Sequence, residues 1–305
     1  MLSYRFMRME MNGMRHEDHR IAPQEIFDIG YTVSPKRMTM DMHMLGFMYA
    51  LNDQLTVMAM ANYIETSMDH QIFSQMAANM INGGNREFTT KSSGWGDTKL
   101  TALYSLHESG NRKLHMGMGL SLPTGSIDEE GMLPSMGGPS LQQMPASMQL
   151  GSGTFDLLPS LTFRQQFKDW SYGAQTSGVI HLQDENDNDY RLGNQFDLTG
   201  WAGYAANKSI SVAAGLNYKW TGKLKGSQKN VNPMGPNGRS VTTAYGENYG
   251  GERIDAILGV NLLGSKGTLK GHRLSADIRL PLWQDLNGYQ LETDWIFTLG
   301  WQKAW

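Results

Sequence analysis

Cysteine is absent from the 305 residues, which excludes disulfides, thiolate metal sites and cysteine nucleophiles. An excess of positive charge is also absent, because 26 Lys and Arg residues stand against 29 Asp and Glu residues. Nucleic-acid binding, which needs a broad basic surface, is therefore not expected. No stretch approaches about 18 uncharged apolar residues, so a membrane-spanning helix is excluded. Glycine (35 residues) and methionine (22) are abundant instead, and 15 of the methionines lie in the first 80 positions.

The C-terminal residues 291–305 alternate between two kinds of side chain. Trp295, Phe297 and Trp301 share one set of alternate positions, and mostly polar or small residues occupy the other. A period of two is typical of a β-strand with unlike faces. An aromatic face that ends on Trp305 is similar to the C-terminal strand of bacterial outer-membrane barrels, although Lys303 stands where an aromatic residue is usual.

Eleven further segments predict strands, which gives twelve in total. Apolar alternation or a methionine-rich strand pattern covers residues 2–11, 37–51, 55–63, 100–106, 114–122, 155–163, 170–182, 196–204, 210–220, 254–262 and 274–282. An even count returns both termini to one side of a membrane. The predicted fold is therefore all-β, with a single domain over residues 1–305. We expect an antiparallel transmembrane β-barrel of about 12 strands, with short periplasmic turns and long extracellular loops.

The predicted connections alternate in length. One set is of hairpin scale, such as Asn52-Asp53. The other set is mostly long and includes residues 12–36, 65–94, 124–152 and 221–251. This alternation is typical of barrels, and a twelve-stranded β-sandwich gives no reason for it. The segment from Gly226 to Gly251 is expected either as a mobile external loop or as an inward plug.

Aromatic residues cluster near both predicted ends of the strands, as the two interfaces of a bilayer select. The opposite strand faces carry charges of both signs, which predicts a polar lumen. The predicted lumen residues are Asp97, Lys99, Asp156, Arg164, Arg191, Asp197, Arg253, Asp255, Asp277, Arg279, Glu292 and Asp294. Two interpretations stay open: the charges pair with each other and stiffen the wall, or they line a path for a solute.

Three glycine-containing segments carry a family resemblance. They are Gly94-Trp95-Gly96-Asp97-Thr98-Lys99-Leu100, Gly119-Leu120-Ser121-Leu122-Pro123-Thr124-Gly125 and Leu150-Gly151-Ser152-Gly153-Thr154-Phe155-Asp156. These segments resemble those of the outer-membrane transporter family named for the phenol meta-degradation pathway. The resemblance spans roughly residues 37–305. The resemblance implies uptake of aromatic or other small hydrophobic compounds. It carries no catalytic residues.

Enzymatic signatures are missing around these glycines. The glycine-rich segments lack the Gly-Lys-Ser/Thr of a phosphate loop, and no Ser-His-Asp set stands in a nucleophile-elbow context. A barrel phospholipase would need a serine two residues after its histidine, and neither His181 nor His272 has one. We therefore predict that the protein is not an enzyme and has no cofactor, unless it binds a copper or silver ion.

The methionines generate a separate hypothesis, because thioethers are soft ligands suited to Cu(I) or Ag(I). The predicted metal ligands are Met7, Met9, Met11, Met40, Met42, Met44, Met58 and Met60. The alternative is that methionine is a flexible hydrophobe that packs the wall or contacts lipid. The turn at Asn52-Asp53 decides whether these methionine side chains point to the lumen or to lipid. An odd-length turn points all the stripes inward, whereas a two-residue turn points those of the second strand at lipid.

These observations predict a protein of the bacterial outer membrane that contacts lipid and passes a small aromatic or hydrophobic solute. Two alternatives are soft-metal binding or translocation, and a structural role that anchors or sheathes another envelope component. Residues 1–30 contain no apolar core of a signal peptide. Because an outer-membrane protein must be exported, we expect this chain to lack its signal peptide or to begin inside the mature protein.

Overall fold

The computed structural model describes residues 1–305 and consists mainly of antiparallel strands. Two short helices, α1 (Pro23–Asp28) and α2 (Gln75–Ile81), interrupt the loops, and no helix is both long and apolar enough to cross a bilayer. In chain order the strands are β1 (Leu2–Glu17), β2 (His19–Ile21), β3 (Tyr31–Ala50), β4 (Leu55–Ile72), β5 (Glu87–Trp95), β6 (Thr98–Ser109), β7 (Arg112–Leu122), β8 (Glu130–Leu133), β9 (Ser140–Gln143), β10 (Asp156–Gln166), β11 (Trp170–His181), β12 (Tyr190–Arg191), β13 (Gln195–Ala205), β14 (Ile210–Thr221), β15 (Lys225–Gly226), β16 (Met234–Gly235), β17 (Gly238–Val241), β18 (Gly251–Leu263) and β19 (His272–Lys303).

Eleven of these strands form one closed wall in which each strand pairs antiparallel with the next. Their order is β1, β3, β4, β6, β7, β10, β11, β13, β14, β18 and β19, after which β19 pairs back with β1. Closure satisfies the backbone groups that an open sheet would leave unpaired in hydrocarbon. The predicted all-β antiparallel barrel is confirmed.

The last strand, β19, crosses the wall twice. Residues 273–286 pair with β18, and residues 286–303 pair with β1. The chain reverses at Asn287-Gly288, where Gly288 has a φ of 59°, a left-handed conformation that glycine adopts without steric cost. The wall is therefore crossed twelve times, as the sequence predicts, and both chain ends lie at one end of the barrel.

Short turns lie at the end of the barrel that carries the chain termini. They span residues 51–54, 110–111, 167–169, 206–209 and 264–271. Apart from Asn287-Gly288, the connections at the other end are longer and span residues 18–30, 73–86, 123–155, 182–194 and 222–250. This arrangement assigns the short turns to the periplasmic side and the long loops to the extracellular side.

The predicted loops 12–36 and 65–94 are wrong in extent, because the strands continue far into both. β3 alone has 20 residues, or about 65 Å of chain at about 3.3 Å per residue, more than twice the thickness of a hydrocarbon core. β5 pairs with the extracellular part of β4, and β6 pairs with the periplasmic part of the same strand. β5 therefore continues the line of β6 above the membrane. Apolar alternation stops at the bilayer surface, which is why it did not predict these extensions.

Charged residues on the outer face lie in this extension. Arg8 and Asp41 pair directly across β1 and β3 and form two hydrogen bonds of 2.7 and 2.5 Å. They lie two cross-strand pairs beyond the row formed by His43, Tyr63 and Trp95, where the outer aromatic belt runs. The charges therefore meet the headgroup region and avoid the cost of about 2 to 4 kcal/mol for Arg or Lys at the bilayer midplane.

The outward face within the membrane is apolar. Leu100, Leu198, Leu216 and Leu258 are each between 45% and 56% exposed in the isolated chain, although they lie in the middle of regular strands. Such a continuous apolar band is too large for a soluble surface and fits hydrocarbon. Aromatic residues bracket it, with Tyr49, Tyr104, Trp170, Tyr204 and Trp301 toward the periplasm and Tyr63, Trp95, Phe155, Trp220 and Trp295 toward the outside.

The turn after β3 fixes the direction of the methionines. The Leu51 N–H donates to the Leu55 carbonyl at 2.8 Å, and the Asn52 side chain accepts from the Leu55 N–H at 2.8 Å. Ala50 pairs with Thr56, so the loop between the paired positions has an odd number of residues. Of the two alternatives left open by the sequence, the odd-length turn is therefore present. The lipid face of β3 therefore carries Leu45, Phe47 and Tyr49. Met44 and Met48, at the alternate positions, face the lumen.

Two neighbouring alanines test the assignment of faces. Ala214 faces lipid, whereas Ala213 faces the lumen on the same strand, β14. We expect Ala214→Arg to destabilise the barrel by about 2 to 4 kcal/mol in urea unfolding from liposomes, because an arginine near the bilayer midplane is not solvated. Ala213→Arg is the matched control and should cost clearly less. Equal costs for the two variants would contradict the orientation of the wall.

Candidate functional site

The long outer loops fold over the mouth of the barrel and contact each other there. β17 pairs in parallel with the outer end of β3, and the hairpin β8–β9 lies within the loop of residues 123–155. The Gln228 side chain joins the two loops: its oxygen accepts from the Ala146 N–H at 2.7 Å, and its amide donates to the Thr243 carbonyl at 2.9 Å. Of the two alternatives for residues 226–251, these contacts agree with a segment folded inward and not with a free external loop.

The three glycine-containing segments that carry the family resemblance meet at one carboxylate. Asp97 accepts hydrogen bonds from the Gly125 N–H at 3.0 Å, the Ser152 N–H at 2.8 Å and the Ser152 hydroxyl at 2.9 Å. A Cβ on Gly151 would lie 2.4 Å from the Gly125 carbonyl oxygen, so only glycine permits this approach. The segments therefore fasten both ends of the loop of residues 123–155 to the wall.

A second buried network lies beside this anchor. His181 Nδ1 and Asp156 Oδ1 are 2.6 Å apart, and the Thr154 hydroxyl donates to Asp156 at 2.6 Å. Arg191 reaches the same place, because its guanidinium donates to the His181 carbonyl at 3.4 Å. The sequence predicted Asp156 and Arg191 as lumen residues, but it considered His181 only as a phospholipase residue. The signal for His181 was its position at the end of β11, level with Asp156 across the sheet.

Several of the other predicted lumen charges form pairs in one sector of the wall. Arg253 and Asp255 are 2.8 Å apart with Asp255 fully buried, and Lys219 lies 3.4 Å from Asp197. Asp277 and Arg279 are looser neighbours at 3.9 Å. These contacts occupy β13, β14, β18 and β19. Only the Lys219–Asp197 pair joins two strands, because the other two pairs each lie within a single strand.

The remaining predicted lumen residues lie apart from that sector. Glu292 is almost fully buried between Arg15, at 2.8 Å, and Arg20, two partners that the sequence did not predict. Arg164 donates to Gln166 at 2.5 Å near the periplasmic end. Lys99 lies between Met60 and Ser121 in the sheet register. Asp294 follows Thr293 in β19, close to a register shift against β1.

The predicted metal ligands share one inner face formed by β1, β3 and β4. Cross-strand pairs join Met7 to Met42 and Met9 to Met40, and the pair of Met48 with Met58 continues the stripe toward the periplasm. Met11, Met44 and Met60 belong to the same face by strand alternation. The structure therefore brings all eight predicted residues onto adjacent strands.

A tight methionine cluster lies at the outer end of this face. Its members are Met38, Met68, Met144 and Met148, each at most 3% exposed, with Met11 and Met40 packed around them. The sequence placed Met68, Met144 and Met148 in loops and did not associate them. Met68 has the same strand parity as Met58 and Met60, which was a usable signal once β4 was known to extend. The contact with residues 144–148 has no local signal.

A cavity of about 490 Å³ opens between this cluster and the capping loops. Its lining includes Val33, Met68, Phe88, Met148 and Val241 together with polar loop residues. Its size lies within the usual range for small-molecule sites, and mostly apolar linings with a few polar groups are typical of such sites. The cavity touches the methionine face through Met68 and Met148.

His70 is the buried polar residue of this cavity. It lies on the outer extension of β4, beyond the aromatic belt, and its ring stacks on Phe88 at a centroid distance of 4.7 Å. Its Nδ1 has no hydrogen-bond partner. Burial lowers the pKa of His70 to about 4, because the charged imidazolium would lose its hydration. The imidazole is therefore neutral at pH 7.

A closed wall with an apolar outer band, two aromatic belts and loops over one mouth defines a transmembrane β-barrel of the outer-membrane type. The family described as "Putative MetA-pathway of phenol degradation" matches residues 29–246. The chain belongs to this family, which confirms the resemblance seen in the sequence. Its place is the bacterial outer membrane.

Solved structures give the same fold. An outer membrane channel from Pseudomonas putida F1 has a TM-score of 0.62 at 14% identity, covering 100% of this chain and 94% of that chain. Two further structures are less similar. The KdgM porin has a TM-score of 0.44 at 11% identity, covering 99% of both chains. The Pseudomonas putida toluene transporter TodX has a TM-score of 0.43 at 11% identity, covering 100% of this chain and 88% of that chain. No curated protein matches the sequence.

The anchor at Asp97 predicts a mobile loop when it is weakened. Asp97→Asn keeps the shape of the side chain but loses the charge and one of its two acceptor oxygens, and hydrogen bonds to charged groups contribute about 1.5 to 3 kcal/mol. We expect amide hydrogen exchange in residues 123–152 to accelerate at least about tenfold. Asp184→Asn, in a different outer loop, is the control. An unchanged exchange rate in the Asp97 variant would show that the anchor is dispensable.

The buried imidazole predicts a pH dependence. The pKa of His70 is about 4 in the folded protein and about 6.5 when unfolded, so folding favours the neutral form. This contribution is complete above about pH 6.5 and is lost as the pH falls toward about 4, by at most about 3 kcal/mol. We expect the thermal stability of the capping loops, followed by protease resistance, to fall over this window. His70→Phe should flatten this dependence, and an unchanged slope would refute the assignment.

Proposed function

We propose that this protein is a passive outer-membrane channel for small, uncharged apolar solutes, with simple aromatic compounds as the preferred class. The observation that carries the proposal is the shared position of Met68 and Met148. Both line the outer cavity and both belong to the methionine cluster, so these side chains alone separate the cavity from the inner methionine face. A solute would pass by displacing these flexible side chains, and would then meet the inner methionine face, where Arg5 and Lys99 are the cross-strand partners of Met44 and Met60.

The chemistry of the stripe suits such a solute. Methionine is apolar and flexible, and its sulfur makes favourable contacts with aromatic rings. An uncharged aromatic molecule gains from such contacts at each position and needs no fixed partner. Phe88 and the methionines of the cavity offer the same kind of contact at the entrance. The family description, which refers to phenol degradation, supports the aromatic class.

The charged sector supports a non-enzymatic role. Arg253 pairs with Asp255 within β18, and Lys219 pairs with Asp197 across β14 and β13, so these charges are neutralised by neighbours in the wall. Exposed methionines of the outer loops, such as Met76 and Met136, are available to a protein partner. An envelope partner therefore remains a prediction, which co-purification from native membranes tests.

Filling the cavity tests the channel. Vesicles with lipopolysaccharide in the outer leaflet slow the unassisted entry of apolar solutes, and uptake of radiolabelled phenol can be timed in them. We expect purified protein to raise the uptake rate several-fold over protein-free vesicles. Ser135→Trp places an indole in the cavity and should remove most of this gain.

The control is Ser265→Trp in an exposed periplasmic turn, which should leave phenol uptake unchanged. Heat-modified migration on gels verifies that both variants are folded. Uptake no faster than in protein-free vesicles would reject the proposed function. Equal uptake by the two tryptophan variants would reject the route through the cavity.

A further inference from the structure

The methionine cluster at the outer end of the lumen has an unusual composition for a core. Its four members come from three separate segments: Met38 on β3, Met68 on β4, and Met144 and Met148 in the capping loop. Met38 and Met68 are direct cross-strand partners. All four are at most 3% exposed, so four thioether side chains pack against each other in a space closed to water.

Thioether sulfur binds soft monovalent cations such as Cu(I) and Ag(I) and discriminates against hard cations. It requires no deprotonation, so binding does not depend on a lowered pKa. The chain has no group of three or more His, Asp or Glu residues arranged to hold a metal ion. A soft cation would therefore meet no competing oxygen-rich site, and zinc or calcium would find no suitable set of ligands.

A second observation comes from His70. It lies two residues after Met68 on the same face of β4, and it lines the cavity that Met68 and Met148 also line. Its ring is 5% exposed, and Nδ1 has no hydrogen-bond partner. This buried ring nitrogen is therefore available to a ligand. Imidazole nitrogen is a common ligand of copper.

We propose that Met38, Met68, Met144 and Met148, with His70 beside them, form a binding site for a soft monovalent metal ion, Cu(I) or Ag(I). The ion binds without a change of oxidation state. The lumen residues Met7, Met9, Met11, Met40, Met42, Met44, Met58 and Met60 continue from this site along β1, β3 and β4. They provide successive, weaker thioether contacts toward the periplasm. This site does not depend on the passage of an organic solute.

Silver ion is the probe, because it needs no reductant. Titration of the full-length protein in detergent, followed by calorimetry in chloride-free buffer, should show one tight Ag(I) site. The double variant Met144→Leu/Met148→Leu keeps the apolar volume and should weaken that site at least 100-fold. The matched control is Met76→Leu/Met132→Leu, two exposed loop methionines, and it should bind as the unmodified protein does.

A spectroscopic readout separates ligation from packing. With methionine methyl groups labelled by ¹³C, one equivalent of Ag(I) should shift the methyl signals assigned to Met38, Met68, Met144 and Met148. His70→Phe should reduce the affinity about tenfold while the protein stays folded. Three results would overturn the proposal: no Ag(I) binding, binding that the Met144/Met148 variant leaves intact, or shifts confined to the exposed loop methionines.

Discussion

The structure depends on one constraint: in hydrocarbon, every backbone N–H and C=O of the wall needs a partner within the protein. The chain meets it with 209 backbone hydrogen bonds, of which 165 lie within its helices and strands. Pairing β1 with β19 removes the last free edges. Once the wall is closed, side chains have only two directions, toward lipid or toward the lumen. Because side chains alternate along each strand, every second residue faces lipid and must be apolar. The residues between them face the lumen, and their composition is set by function.

This coupling explains how a single turn controls the lumen. A loop one residue shorter after Ala50 would shift the register of β4 against β3 and exchange the two faces of one strand. The Asn52 side chain stabilises the present conformation of the loop, because it accepts from the Gln54 and Leu55 N–H groups at 2.9 and 2.8 Å. Tyr49 and Val57 then share the lipid face while Met48 and Met58 share the lumen. A polar side chain at the periplasmic surface thus determines which groups a solute meets inside.

The sequence was sufficient for the barrel because the bilayer imposes apolar alternation on every crossing, as in the strand from Ile210 to Trp220. The sequence was insufficient above the membrane, where the bilayer imposes no such pattern. The extensions of β3 and β4 were therefore not predicted. Contacts of the capping loops were also beyond it. Met144 and Met38 belong to one cluster although more than 100 positions separate them, and the Asn237 side chain donates to the Tyr31 carbonyl across 206 positions. Such pairs depend on where a loop folds back, which periodicity does not encode. The convergence of three glycine-containing segments on Asp97 was likewise visible only as separate motifs.

The distribution of polarity inside the barrel narrows what the lumen can do. In the sector of β13, β14, β18 and β19, charges such as Arg253 and Asp255 are matched to each other, so separating them would leave an uncompensated buried charge. That sector is consequently fixed and offers little to a passing molecule. In the sector of β1, β3 and β4 the thioethers have no such partners, and their contacts are weak, numerous and interchangeable. A ligand can exchange one methionine for the next without leaving an unpaired group behind. The same property suits both the apolar solute and the soft cation that we propose, and for this reason both proposals place their ligand on the methionine face rather than in the charged sector.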